Sequence, residues 1–312
     1  MLFSSILGPT ITLFLLILVG FVIRKRNIIT DDLIKGFSNF VLNVTMPIFI
    51  IVSMDKEFSK DRMIYSAIIL FISVITYFMK DILSKLFTRI LKIKDPQSGV
   101  YRFLIVFSNS GFMGIPVVHA LYGDEGAFYA AVLNITFNIF IWTLGVGLVS
   151  DNSNEKSGII KRLLLTPGIT SVIIGLILFL TPLSIPSFIR DSMEMIGSMN
   201  TPLAMIVIGG ILGGTELGNV FTNKNLILVT LVRLLIVPLI LIFTMLPFKL
   251  PEMIVGITLI IDTMPAAATT AIFARRYESD YELASQGVFI TTLLNLATIP
   301  FILYIFSIIY KF

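Results

Sequence analysis

The 312-residue chain contains no cysteine, which excludes disulfides, thiolate catalysis and cysteine-ligated zinc or iron–sulfur centres. Its one histidine, His119, rules out a His-Glu-x-x-His zinc site. Ser110-Gly111 superficially resembles the nucleophile of a membrane serine protease, but that lone histidine lies on the same segment and is poorly placed as a base. Aspartyl catalysis needs two carboxylates inside the spans, and the chain offers one, so no enzyme is expected. Charge is scarce too. Asp, Glu, Lys and Arg make up 13% of the residues, against about 25% in a soluble domain. Hydrophobic residues reach 56% and mean hydropathy is +0.96. Too few charges remain to cover a water-facing surface, and the chain is too apolar for disorder. What is left is an all-α integral membrane protein in a lipid bilayer. The net charge of +4 and pI of 9.2 are read as topology-setting loop residues, with no nucleic-acid partner.

A span needs about 20 apolar residues to cross ~30 Å at ~1.5 Å each. Ten runs qualify: 5–23, 36–54, 63–79, 103–123, 126–150, 163–180, 195–215, 225–248, 253–274 and 283–310. The first apolar run ends at Arg24-Lys25-Arg26 with no small-residue cleavage site, so a span rather than a removed leader is expected. With both termini outside the cell membrane, the inner loops hold Arg24, Lys25, Arg26, Lys35, Lys80, Lys85, Arg89, Lys92, Lys94, Arg102, Lys156, Lys161, Arg162, Lys224, Arg275 and Arg276. The outer side holds only Lys56, Lys60, Arg62, Arg190, Lys249 and Lys311. That bias sets a multi-pass orientation with extracellular termini.

The two halves carry matching motifs. Asn43-Val-Thr-Met-Pro47 is echoed by Ser198-Met-Asn-Thr-Pro202, Pro116 by Pro265, and Leu133-Asn134-Ile135 by Leu294-Asn295-Leu296. Gly8-Pro9-Thr10 and Thr166-Pro167-Gly168 open the first and sixth spans. Each pair lies roughly half the chain apart. Five spans per half is an odd number, so residues 1–150 and 151–312 form two inverted five-helix repeats, a secondary-transporter pattern.

The fourth span reads Asn109-Ser110-Gly111-Phe-Met-Gly114-Ile115-Pro116, and the ninth Asp262-Thr263-Met264-Pro265-Ala266. Proline removes a helix hydrogen bond and clashes with the preceding turn. In lipid the freed backbone groups need a cavity or a partner. Two breaks at related positions, both bordered by polar residues, predict unwound segments that cross. Half-helix N-termini there carry partial positive charge and attract carboxylates or phosphates. The expected substrate-binding set is Asn109, Ser110, Gly111, Gly114, Ile115, Pro116, Thr263, Met264, Pro265 and Ala266. Asn134 and Asn295 either reach the substrate or bond an unwound backbone.

Asn109-Ser-Gly-Phe-Met-Gly-Ile-Pro116 followed by Ala120-Leu-Tyr-Gly123 resembles the motif of the auxin efflux carrier family. Thr263-Met-Pro-Ala-Ala-Ala-Thr-Thr270, Ala274-Arg-Arg-Tyr277 and Thr292-Leu-Leu-Asn295 resemble its bacterial branch. The similarity spans essentially the whole chain. It implies a fold like that of sodium/proton antiporters and bile-acid symporters, with broken helices 4 and 9. It also implies a scaffold of spans 1, 2, 6 and 7, a mobile domain of spans 3–5 and 8–10, elevator motion and a homodimer. The substrate it implies is a small organic anion, auxin-like or malate- or malonate-like. Two departures from the plant carriers stand out: the central segment 151–162 is short, and run 63–79 holds no ionisable group.

Asp262 is read as the one carboxylate well inside a span, a functional-site hypothesis by default. It serves either a coupling ion, proton or sodium, or a structural bond to backbone or Arg233. Arg233 pairs with Asp262, neutralises substrate or snorkels. His119 exchanges protons or lines an aqueous vestibule. No cofactor or metal is expected. The alternative function is a cation/proton antiporter on the same crossed-helix fold.

Overall fold

A computed structural model describes the chain except residues 1, 96, 151–165, 182, 184, 215–219, 249, 311 and 312, and except the side chains of residues 2–7, 9 and 10. The predicted central loop and its Lys156, Lys161 and Arg162, the start of the sixth span, and outer Lys249 and Lys311 fall outside the described residues. The described residues are helical, with no strand among them beyond one isolated bridge. Their elements are α1 Leu2–Lys25, α2 Asp31–Met54, α3 Lys60–Ile90, α4 Gln97–Val106, α5 Ser110–Val149, α6 Pro167–Leu180, α7 Ser187–Gly214, α8 Lys224–Phe248, α9 Glu252–Thr263, α10 Thr269–Arg276 and α11 Tyr281–Ile309. Six of these, α2, α3, α5, α7, α8 and α11, are long and apolar enough to cross a membrane.

Helix α5 is two arms rather than one rod. Gly123 has φ 62° and ψ −156°, a conformation only glycine adopts cheaply. The chain reverses there. Gly99 of α4 lies against the backbone of Leu148, and Phe103 against Gly145, so the second arm runs antiparallel to α4. A side chain at Gly99 would strike the Leu148 carbonyl.

Proline shapes several helices without breaking them. Single π-turns at 41–45, 110–114 and 232–236 each close two residues before Pro47, Pro116 and Pro238. In each, an amide donates five residues back: Met46 to Val41, Ile115 to Ser110 and Val237 to Val232. The extra residue in the turn makes room for the proline ring, which would otherwise clash with a carbonyl.

The exterior is apolar. On α3, Phe71, Ile75, Phe78, Ile82, Leu86 and Ile90 are exposed at i, i+3 and i+4 spacing. The opposite face of the same helix buries Ser73, Thr76, Tyr77, Lys80, Asp81, Ser84 and Thr88. A helix with its greasy stripe outward and its polar stripe inward is inverted relative to a soluble one, as lipid contact demands. This corrects the reading of run 63–79. The helix continues to Ile90 and carries two ionisable residues inward, so Lys80 belongs to a buried helix face and not to an inner loop.

Candidate functional site

The breaks meet. Helix α4 ends at Val106 and α9 at Thr263. Beyond them Ser108 and Ala266 face each other in an antiparallel bridge. The Asn109 amide donates to the Pro265 carbonyl at 2.8 Å, and the Ala267 amide to the Phe107 carbonyl at 2.9 Å. Each unwound stretch therefore satisfies the other, as buried backbone in a bilayer must be satisfied. The Ala266 amide donates to Thr291 Oγ1 at 3.2 Å, and Asn295 Nδ2 donates to the Thr263 carbonyl at 2.8 Å. Ser110 Oγ reaches Asn134 Oδ1 at 3.3 Å. Of the two roles open to the repeat-related asparagines, Asn295 bonds unwound backbone, while Asn134 holds a side chain at the start of the next helix.

The position of the first break differs from the sequence expectation. Gly111, Gly114, Ile115 and Pro116 lie in the helix after the break, whose unwound residues are 107–109. Pro116 is accommodated by the π-turn before it, whereas Pro265 sits in the unwound stretch itself. The two prolines are thus not structural counterparts. Gly114 serves close approach: a Cβ there would come within 2.6 Å of Ile261 Cδ1.

Arg233, fully buried in α8, bonds two carbonyls: Ile105 at 3.3 Å and Met264 at 2.9 Å. These carbonyls end α4 and α9, where the helix dipoles leave partial negative charge. One guanidinium thus caps both broken helices. It does not snorkel, and the side chain paired with Asp262 is not Arg233 but Lys80, whose Nζ lies 2.5 Å from Oδ1. Lys80 is 1% exposed and Asp262 4%. The Lys80 ammonium also sits 4.1 Å from the centroid of the Tyr77 ring. The next residue, Asp81, takes Arg102 of α4 at 2.7 Å and Lys85 at 2.7 Å. Consecutive residues of opposite charge on α3 therefore bind α9 and α4 respectively.

Lys80 and Asp81 escaped sequence reading because they stand at the edge of an uninterrupted apolar run. A signal was present: Ile82, Leu83, Leu86, Phe87 and Ile90 continue the helical spacing past them. His119 lies apart from the crossing. Its Nε2 is 3.2 Å from Asp124 Oδ1, beside the Gly123 turn, and its ring meets Phe49 edge-on at 5.1 Å.

A cavity of about 1060 Å³ opens between α2 and α7 on one side and α10 and α11 on the other. Asp31, Lys35, Arg275, Arg276 and Glu282 line it, as do Phe112 at the tip of α5 and Ala268 capping α10. The hydroxyls of Thr269 and Thr270, at the start of α10, are buried with no hydrogen-bond partner. Among the described residues no cluster of three or more acidic or histidine side chains could hold a metal.

Lipid-facing apolar stripes, a buried polar crossing of two interrupted helices and a cavity ending at their tips define a membrane transport protein. The family model for membrane transport proteins matches residues 5–303, and the chain belongs to that family, the auxin efflux carrier family. Members are transporters, not enzymes. An uncharacterized transporter of Methanocaldococcus jannaschii is 27% identical over 305 residues, covering 91% of this chain and 94% of its own. One from Methanothermobacter thermautotrophicus is 24% identical over 303 residues, covering 96% and 98%. The uncharacterized transporter YfdV of Escherichia coli K12 is 19% identical over 312 residues, covering 96% and 97%.

Proposed function

We propose that this transporter is a secondary active carrier of small organic anions, mono- or dicarboxylates of the auxin, malate or malonate type. The observation that carries the reading is that one cavity touches both helix tips, through Phe112 of α5 and Ala268 of α10. The first amides of a helix have no intrahelical acceptor and carry partial positive charge. The unpartnered Thr269 and Thr270 hydroxyls add donors. Behind the crossing lie Lys80, Arg233 and Asp262, two cations against one anion. A carboxylate arriving there meets donors and a net positive field. A cation there is repelled by that field and finds donors where it needs acceptors, which ranks the antiporter reading second. On this reading the binding set is Asn109, Ser110 and Gly111 with Thr269 and Thr270. Thr263, Met264, Pro265 and Ala266 shape the crossing, and Asn134 and Asn295 brace it.

The mechanism we infer is elevator-type alternating access on ten passages in two inverted repeats. The path of α4 plus the first arm of α5 would count as the fourth passage, and α9 plus α10 as the ninth. The scaffold would be α1, α2, α6 and α7, whose backbones approach closely: Gly20 and Gly209 let α1 and α7 touch, and Gly175 packs on Met54 of α2. The mobile domain would be α3–α5 and α8–α11, tied together by Lys80, Asp81 and Arg233. The cavity runs between these sets on the side of Lys35, Arg275 and Arg276, which the positive-inside rule assigns to the cytoplasm. The state would then be inward-open, with extracellular termini in the cell membrane and a homodimer as the unit.

The test is counterflow in proteoliposomes across a panel of labelled mono- and dicarboxylates. Internal unlabelled substrate should accelerate uptake, and Asn109→Ala with Thr270→Val should cut exchange at least about tenfold, the worth of ~1.4 kcal/mol of binding, in protein that elutes and melts normally. Proton flux driven by cations, with no carboxylate exchanged, would overturn the reading in favour of an antiporter.

A further inference from the structure

We propose that the C-terminal end of α3 is a docking surface for an anionic phospholipid, with the acyl chains along the outward apolar stripe and the phosphate diester on Arg89 and Lys92. The surface lies on the outside of the molecule, and the proposal does not rest on the anion-carrier reading.

Two properties of α3 meet at this end. Ile82, Leu86 and Ile90 continue the exposed stripe that faces lipid. Lys85 and Arg89, three residues after Ile82 and Leu86, lie on the same side of the helix and are exposed. The helix then closes in a turn. Lys92 has φ 53°, and the Ile93 amide donates back to the Thr88 carbonyl at 3.0 Å. This helix ending usually places glycine where Lys92 stands. The turn keeps the exposed Lys92 and Lys94 beside Arg89 at the helix end.

The stretch from Lys85 to Lys94 holds four cations and no carboxylate. Asp81, one turn earlier, already takes Lys85 and Arg102 at 2.7 Å each. Among the described residues Arg89, Lys92 and Lys94 meet no carboxylate and no aromatic ring. The helix C-terminus offers them about half an elementary charge, which offsets only part of their sum. A free phosphate would match the charge but not the stripe. A zwitterionic lipid would match the stripe but brings a cation of its own. A lipid with a phosphate diester and no ammonium matches both. Gln97, at the start of α4 just beyond the turn, donates to Asp280 Oδ2 at 3.0 Å, next to Tyr281 and Glu282 of the cavity lining. The patch therefore lies at the cavity end, on the helix that holds α9 through Lys80 and α4 through Asp81.

The experiment is thermal melting of the purified full chain in neutral-detergent micelles with increasing phosphatidylglycerol, and in parallel with phosphatidylcholine or inorganic phosphate. Phosphatidylglycerol should raise the melting temperature by several degrees and saturate, as a ligand of the folded state does. The other two should shift it by no more than about 1 °C. Arg89→Gln with Lys92→Gln alters exposed side chains only, so it should fold and melt like the wild type without lipid. It should need at least about tenfold more phosphatidylglycerol for half the shift, since each basic residue beside an anionic surface is worth roughly a factor of five. Lys60→Gln, at the other end of α3, removes an exposed charge and should leave the titration unchanged. An equal response to phosphatidylcholine, or to inorganic phosphate, overturns the proposal. So does a double variant that titrates like the wild type, or a Lys60→Gln variant weakened as much as the double one.

Discussion

Thr45 Oγ1 donates to Asn200 Oδ1 across 3.2 Å, in the buried contact between α2 and α7. Each residue stands two positions before a proline, Pro47 or Pro202. The helices thus touch at matching points of their motifs. Two copies related by an approximate twofold axis would touch this way where they cross it, so this contact is consistent with the proposed inverted repeat.

That contact predicts a stability effect without a transport effect of its own. Asn200 Nδ2 already lacks a partner. Thr45→Val keeps the volume and removes the donor to Oδ1, leaving the buried amide with no side-chain bond. The expected cost is about 1–2 kcal/mol, read as a melting temperature lowered by a few degrees in detergent. Asn200→Leu, which removes both polar atoms, should cost less than Thr45→Val. An unchanged melting curve for Thr45→Val would show that the contact contributes nothing.

Arg233 should be among the least replaceable residues. Its two carbonyl partners end different helices, and no other described side chain reaches them in its place. Arg233→Leu strands both carbonyls and adds no compensating charge near Asp262, and the expected loss is about 3–5 kcal/mol. Arg233→Lys keeps the charge but not the fork that spans two acceptors, so its melting point should fall between wild type and Arg233→Leu. Equal melting of the lysine and arginine forms would mean that charge alone, not the double cap, holds the crossing together.

Much of the site was legible in sequence because it consists of residues whose chemistry conflicts with an apolar helix: Asn109, Ser110, Asp262, Thr263 and Pro265 each break a hydrophobic run. Proline was the less reliable guide. Pro116 marked the neighbourhood of a break, but a π-turn absorbed it and the unwinding fell on Phe107–Asn109, where nothing local forbids a helix. What unwinds those residues is the bridge to 265–267, a contact far away in sequence. Lys80 was illegible for the same reason. Its partner is 182 residues distant, and a lysine at the end of an apolar stretch ordinarily marks the membrane surface. Only the outward stripe from Phe71 to Ile90 turns it inward.

The end of the molecule opposite the cavity predicts how motion could be stopped. At the end of α2, Asp55 pairs with Arg190 of α7 at 3.1 Å, while the following residue, Lys56, lies 3.6 Å from Asp124 at the tip of the α5 hairpin. His119 meets Asp124 from the hairpin itself, and Phe49 of α2 packs on His119. The Lys56–Asp124 and Phe49–His119 contacts join the proposed scaffold to the proposed mobile domain at the end opposite the cavity, so an opening at that end must part them, whereas Asp55–Arg190 lies within the scaffold. The chain has no cysteine, so Lys56→Cys with Asp124→Cys introduces the only two thiols. A short disulfide-forming bifunctional reagent should then link them and stop counterflow, reductant should restore it, and each single variant treated alike should keep its rate. The ion pair itself is exposed and worth at most about 1 kcal/mol, so the unlinked double variant should still transport. Full exchange through the linked protein would mean that the hairpin tip stays beside α2 throughout the cycle, and the elevator assignment of α5 would fail.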